Sequence, residues 1–309
     1  MTARGAQGAA EARQALTAGV GCYLLWGLMP ALFIVMGRNG ASPWEILGER
    51  ALWSAPWAGL LVLLARQGDQ VLRVFATPKL LGALALSALM IGSGWSVYVW
   101  AVNNGRNLES SLGYYINPLL NMAVGAIVFR ERLDRIGLVA ISLAAVGVLL
   151  QTLALGHPPV ISLFLALTFC IYGIIRKRID VEAQAGLFVE CLLMSVPALI
   201  YVLWLHHAGG GQFGRSVGLS LLLASAGPAT VAPLALFSWT ARRLPLSTIA
   251  FLQFIGPTLG FIIGLIVGER LNALGTLSFV FIWAGVVTFA FGAWRASRRL
   301  RGIAFEEAA

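Results

Sequence analysis

The sequence predicts an all-α membrane protein of ten transmembrane helices, arranged as two inverted five-helix repeats. Three observations predict it: long charge-free apolar runs, an uneven distribution of Lys and Arg between those runs, and a set of residues that recurs about 140 positions apart. Of the 309 residues, 59% are hydrophobic and 11% charged, and the mean hydropathy is +0.82. Soluble domains carry about 25% charged residues, so this chain lacks the charge to coat a water-facing surface. Charge-free runs cover 14–37, 80–105, 110–129, 136–175, 191–214, 216–241, 244–268 and 271–294. A helix needs about 20 apolar residues to cross about 30 Å of hydrocarbon, and most of these runs meet that length.

Taken in order, the predicted spans are 15–36, 43–65, 79–103, 107–129, 136–154, 160–177, 183–205, 217–241, 245–268 and 271–294. The first is longer than the apolar region of about 7–15 residues in a cleavable signal, so it reads as a retained helix. The fifth and sixth come from one run of double length, which Gly156-His157-Pro158-Pro159 breaks as a turn would. The segments are continuously apolar, without the alternation of a membrane barrel strand. Inside hydrocarbon the backbone must satisfy its own polar groups, which leaves helices.

Orientation follows from the basic residues. With the N-terminus in the cytoplasm, inner segments hold 17 Lys and Arg and the remainder of the chain holds 5. That bias places both termini inside, which an even number of spans requires. The location implied is the inner membrane, and the lipid bilayer is the chain's first partner.

The repeat is carried by four matches. Glu131-Arg132-Leu133 recurs as Glu269-Arg270-Leu271 at offset 138, and Ile116-Asn117-Pro118 as Ile255-Gly256-Pro257 at offset 139. Glu49, Ser54 and Pro56 of the second span match Glu190, Ser195 and Pro197 of the seventh at offset 141. Trp26-Gly27 resembles Tyr172-Gly173. Four matches in one order at nearly one offset mark an internal duplication. Five spans per unit is odd, so the second unit enters the membrane from the opposite side. The expected organisation is a cytoplasmic tail 1–14, repeats 15–155 and 156–294, and a cytoplasmic tail 295–309. Inverted repeats of this kind are common in secondary transporters, with the solute site near the midplane.

Other classes are excluded by what the chain carries. The net charge of +9 sits in short groups between apolar runs, so nucleic acid is not the partner. Cys22, Cys170 and Cys191 lie inside apolar runs without paired or metal-type spacing, which predicts neither disulfides nor a metal site. His157, His206 and His207 fall in loops or at a helix end. There is no Walker-type phosphate loop, no helical His-Glu-x-x-His and no Ser/His/Asp set, so no catalytic group or cofactor is expected.

Candidate pathway residues follow from polarity at depth. Glu49 lies about 10 Å in from the outer end of the second span and Glu190 about 10 Å in from the inner end of the seventh, at 1.5 Å per residue. A carboxylate there is costly unless it faces a cavity or a partner. The functional reading is a proton-titrating or solute-binding pair; the plainer one is bracing between helices. Arg50 points about 100° from Glu49 and reaches it only through a third group. Pro118 and Pro257, read as mid-helix kinks, free the carbonyls of Tyr114 and Gln253, with Asn117 close by. Trp95, Tyr98 and Val102 share a face of the third span, and Asn103 follows at its outer end. Aromatic rings there suit a planar or cationic solute. Ser110, Ser111 and Gly113, with Ser247 and Ala250, read as close-packing positions.

The longer motifs carry a family resemblance. They are Trp95-Ser96-Val97-Tyr98-Val99-Trp100-Ala101-Val102-Asn103-Asn104-Gly105-Arg106, then Glu109-Ser110-Ser111-Leu112-Gly113-Tyr114-Tyr115-Ile116-Asn117-Pro118-Leu119, then Tyr172-Gly173-Ile174-Ile175-Arg176-Lys177 and Leu244-Pro245-Leu246-Ser247-Thr248. With the two Glu-Arg-Leu closures, the chain from about 15 to 294 resembles the EamA-type drug/metabolite transporters, and within them the RarD branch. The resemblance implies export of a small-molecule solute, an amphiphilic metabolite or drug. Alternating access would proceed around a cavity lined by spans 2, 3, 4, 7, 8 and 9, with Glu49, Tyr98, Tyr114, Asn117, Tyr172, Glu190 and Gln253 in the lining. Coupling would come from an ion gradient, a proton being the candidate, or from the solute's own gradient. A non-transporting membrane scaffold or assembly subunit is the alternative.

Overall fold

The computed structural model describes residues 3–128, 135–241, 243–244 and 252–306, with the side chains of most of them. Every regular element among these is a helix. In chain order they are α1 (Ala3–Arg38), α2 (Pro43–Ala65), α3 (Gly68–Ala76), α4 (Pro78–Asn103), α5 (Asn107–Val128), α6 (Arg135–Leu155), α7 (Val160–Arg178), α8 (Ala183–His207), α9 (Val217–Ala241), α10 (Ile255–Ile266) and α11 (Ala273–Glu306). Six of them are long and apolar enough to cross a membrane: α1 from Arg13, α4, α6, α8, α9 and the first part of α11.

Local chemistry sets the boundaries. Ser42 caps α2, its hydroxyl accepting from the Glu45 amide at 3.1 Å, and Pro43 occupies the first helical position, where its missing N–H costs nothing. The other end of α2 closes on Arg66 in the left-handed conformation (φ 55°). Gly156, at φ +71°, makes the turn between α6 and α7. Helix α1 begins at Ala3, inside the expected tail, and α11 runs beyond the expected limit at 294.

Two expectations need correction. No element is predicted between the spans ending at 65 and beginning at 79, yet Gly68–Ala76 is a short helix with Val74 buried against Leu84 and Val189. Nine residues are too few for a convincing periodic signal. Pro257 was expected mid-helix; α10 begins at Ile255, so the proline sits in the first turn, where its missing N–H breaks no bond. The backbone irregularity lies just before it, at Gln253 and Phe254. Helix α5 runs on through position 118. The Glu131-Arg132-Leu133 motif, Pro245, Ser247 and Ala250 lie outside the described residues.

The bundle is apolar outside and partly polar inside. Leu63, Leu64, Ile200, Leu203, Trp204, Val217, Ile266 and Val287 are all exposed, which suits lipid rather than water. Glu45, Glu49, Arg50, Ser54, Ser87, Asn117, Glu190 and Thr230 are buried. Helix α6 packs on α11, α2 on both α8 and α9, α5 on α7 and α10, α1 on α9 and α10, and α4 on α7 and α8. Small residues allow close approach. A Cβ at Gly227 of α9 would fall onto the backbone of Trp53 in α2, and one at Gly113 of α5 would press on the Ser162 carbonyl of α7. Ser278 of α11 donates to the Gly147 carbonyl of α6 at 2.7 Å.

The two ends of the bundle are tied differently. At the end where α4 meets α5, one half-buried and one buried carboxylate, Glu269 and Glu45, hold backbone. Glu269 accepts from the Asn107 amide at 2.6 Å, from Asn107 Nδ2 at 2.7 Å and from the Leu108 amide at 2.9 Å, capping the start of α5. Glu45 accepts from the Gln212 amide at 2.5 Å and the Phe213 amide at 3.0 Å. At the opposite end Arg73 pairs with Asp180 at 3.1 Å in the open. There Gln67 and Gln70 accept from the Ala185 and Glu182 amides.

Candidate functional site

Two buried polar groups occupy the interior. The first surrounds Arg50 of α2. Its Nε donates to the Thr230 hydroxyl of α9 at 2.8 Å, and Thr230 in turn donates to the Ala226 carbonyl of its own helix. The guanidinium lies 3.9 Å from the ring centre of Trp95 on α4 and 5.5 Å from that of Phe33 on α1. Four helices thus converge on one side chain that is 5% exposed. Gly227, one turn before Thr230, lets α9 approach α2 closely enough for that hydrogen bond.

The second group surrounds Glu190 of α8, which is 1% exposed. The Ser87 hydroxyl of α4 donates to its Oε1 at 2.6 Å. The Arg176 guanidinium at the end of α7 stands 3.8 Å away, and Tyr172, one turn earlier, lies beside it. The carboxylate therefore joins α4, α7 and α8 near the end of the bundle that also carries Arg73 and Asp180. Gly186 makes room for Arg176: a Cβ there would overlap the guanidinium. Arg176 also donates to the Ala183 carbonyl at 3.3 Å.

A row of aromatic rings links the two groups. Phe33 meets Tyr98 edge to face at 6.2 Å, Tyr98 meets Tyr114 at 5.4 Å, Tyr114 meets Phe169 at 5.4 Å, and Phe169 meets Tyr172 at 6.2 Å. Such contacts favour the ring geometry without locking it. The row runs through α1, α4, α5 and α7 and reaches from the Arg50 side to Glu190.

The expected lining is thus brought together only in part. Trp95, Tyr98, Tyr114, Tyr172 and Glu190 belong to this connected interior. Glu49 does not: its Oε2 accepts from Trp53 Nε1, one turn away on the same helix, at 3.0 Å. Both line a largely apolar lateral cleft of about 320 Å³ with Leu52, Pro56, Val202 and Phe213. Asn103 donates to the Val99 carbonyl of its own helix at 2.9 Å and fills the space above Gly37. Asn117 is buried within α5, and Gln253 stands half-buried at the break before α10. Arg50, Ser87, Arg176 and Thr230 stand outside the expected lining, Arg50 being weighed from sequence only as a neighbour of Glu49 and Arg176 only as part of a motif. A lone arginine within an apolar span was the available signal for the first.

A helix bundle with a lipid-suited exterior and a buried polar interior defines a polytopic membrane protein. Comparison with known proteins makes the assignment specific. The EamA-like transporter family matches residues 14–153. Protein RarD of Escherichia coli K12 is 39% identical over 293 residues, covering 94% of this chain and 98% of that one. An uncharacterized transporter of Pseudomonas aeruginosa is 40% identical over the same share of this chain and 98% of its own. A chloramphenicol-sensitive protein RarD from that organism is 30% identical over 83% of this chain and 86% of its own. One crystal structure, 17% identical, covers 92% of this chain and 99% of its own with a TM-score of 0.58, which bears on the fold alone. The chain belongs to the RarD branch of the EamA-like transporter family.

Proposed function

We propose that this protein is a secondary transporter of the bacterial inner membrane, exporting a small amphiphilic metabolite or drug by alternating access. One observation carries the reading: two buried polar groups, at Arg50 and Glu190, stand inside a lipid-facing bundle and are joined by a row of rings. A scaffold or assembly subunit needs no such interior. Its docking surface would instead present polar residues outward, whereas the exterior here is apolar.

The packing supports two inverted five-helix repeats, 15–155 and 156–294. Pair α1 with α7, α2 with α8, α4 with α9, α5 with α10 and α6 with α11. Exchanging the partners turns the α1–α9 contact into α7–α4, α1–α10 into α7–α5, and α2–α9 into α8–α4, and each of these pairs is packed. The α2–α8, α5–α10 and α6–α11 contacts map onto themselves. A two-fold axis in the membrane plane produces such an exchange. The family match at 14–153 nearly coincides with the first of these repeats. The excess of Lys and Arg supports both termini in the cytoplasm, which makes the Arg176–Glu190 end the cytoplasmic one.

The test is counterflow in proteoliposomes, using labelled chloramphenicol and a panel of labelled amino acids and aromatic acids, with and without a pH gradient. Expected is protein-dependent exchange of at least one solute, sensitive to Glu190→Gln, and accelerated by the gradient if a proton is coupled. Exchange at protein-free rates for every solute would overturn the reading. Reporter fusions after residues 73 and 215 test the inversion, since those sites should lie on opposite sides of the membrane.

A further inference from the structure

We infer that Arg50 receives the anionic group of the solute, so that the carried compound bears a carboxylate next to an aromatic or apolar body. This deepens the transporter reading and rests on it.

An arginine guanidinium stays charged at any pH the protein meets. Burying that charge is costly unless it is paired or hydrogen-bonded at every donor. Arg50 is 5% exposed, and among the described residues no carboxylate lies within 4 Å of it. Glu49 is its chain neighbour, but its carboxylate is turned toward Trp53 and the lateral cleft. The Nε donor is used by Thr230, whereas Nη1 is buried and has no acceptor.

An arginine serving only as a brace would have its donors filled by neighbouring carbonyls or hydroxyls. This one is instead held in position with a donor unused. Arg50 Cζ lies over the Trp95 ring at 3.9 Å from its centre, which restricts the guanidinium, whose N–H groups project in its own plane. A carboxylate bridging two such donors is the partner this geometry suits. The surrounding rings, Phe33 and Trp95 with Tyr98 and Tyr114 close by, accept an apolar body and offer phenol hydroxyls.

The two repeats differ at this position. The residue equivalent to Arg50 at offset 141 is Cys191, which is buried and carries no cation. Among the described residues Arg50 thus has no cationic counterpart at the matching position of the second repeat, which fits a solute with a single anionic group.

The experiment uses the full-length protein in detergent and four ligand series: acetate, benzoate, phenylacetate and indole-3-acetate, each alongside its amide and its amine. Ligands that bind the folded state raise the melting temperature by mass action. Expected is stabilisation by at least one carboxylate and by neither of its isosteres. Arg50→Gln should weaken that carboxylate's apparent affinity about 10- to 100-fold, with Arg50→Lys falling in between because it keeps the charge and loses the fork. Equal stabilisation by amide or amine, no stabilisation by any carboxylate at 10 mM (roughly the weakest affinity worth calling specific), or carboxylate binding that survives in Arg50→Gln would each overturn the inference. The wild-type contrast decides the matter even if a variant does not fold. Counterflow of amines or amides without carboxylate binding would sink this inference and leave transport standing. Carboxylate binding without exchange would do the reverse.

Discussion

Glu49 and Glu190 lie 141 residues apart, each followed by Ser and Pro at the same spacing, and both are buried, yet they serve different neighbourhoods. Glu49 bonds to Trp53 within its own helix. Glu190 holds together three helices through Ser87 and Arg176. On the two-repeat reading proposed above, the residue is kept while its surroundings differ. A carboxylate confined to one helix moves with that helix, whereas one shared among three is made or broken when the helices shift. Only the second has the connectivity of a latch.

That contrast can be broken or sharpened by substitution. Glu190→Gln should have the largest effect. It leaves the Arg176 guanidinium without a countercharge, at a cost of about 3 kcal/mol in stability, and should reduce counterflow at least about tenfold, provided a solute is found. Thermal unfolding in detergent checks the first and proteoliposome exchange the second. Ser87→Ala comes next, removing the 2.6 Å donor at about 1–2 kcal/mol. Gly186→Ala should cost about 1 kcal/mol by displacing the Arg176 guanidinium. Because both act on one contact, Gly186→Ala added to Glu190→Gln should cost little more; full additivity would show that Arg176 serves something other than Glu190. Glu49→Gln should be mildest, about 0.5 kcal/mol, because the amide oxygen still accepts from Trp53 Nε1. A Glu49→Gln variant as inactive as Glu190→Gln would abolish the distinction.

Much of the architecture was legible beforehand because bilayer physics is coarse. A run of about 20 apolar residues has few options in hydrocarbon, and described boundaries such as Pro43–Ala65 fall where the charges and prolines placed them. Helix α3 was not legible, since its nine residues owe their place to Val74 packing on α4 and α8. The site was legible in composition but not in pairing. The spacing of Trp95 and Tyr98 put them on one face, and the structure keeps them together. Nothing local revealed that Arg50 turns toward Trp95 and Thr230 while Glu49, one residue earlier, turns toward Trp53. Such pairings join residues up to 180 positions apart, beyond the reach of any periodicity.

The seam between α6 and α11 has its own consequence. Gly147 sits against Ile282, Gly285 passes close to the Ala140 carbonyl, and Ser278 bonds across to the Gly147 carbonyl, so α6 and α11 are held together along their length. On the alternating-access reading proposed above, a swing of 15–155 past 156–294 would turn about this line, as the covers of a book turn about its spine. A covalent bridge placed across the seam would then leave the motion free, while the same bridge between α4 and α8 would stop it.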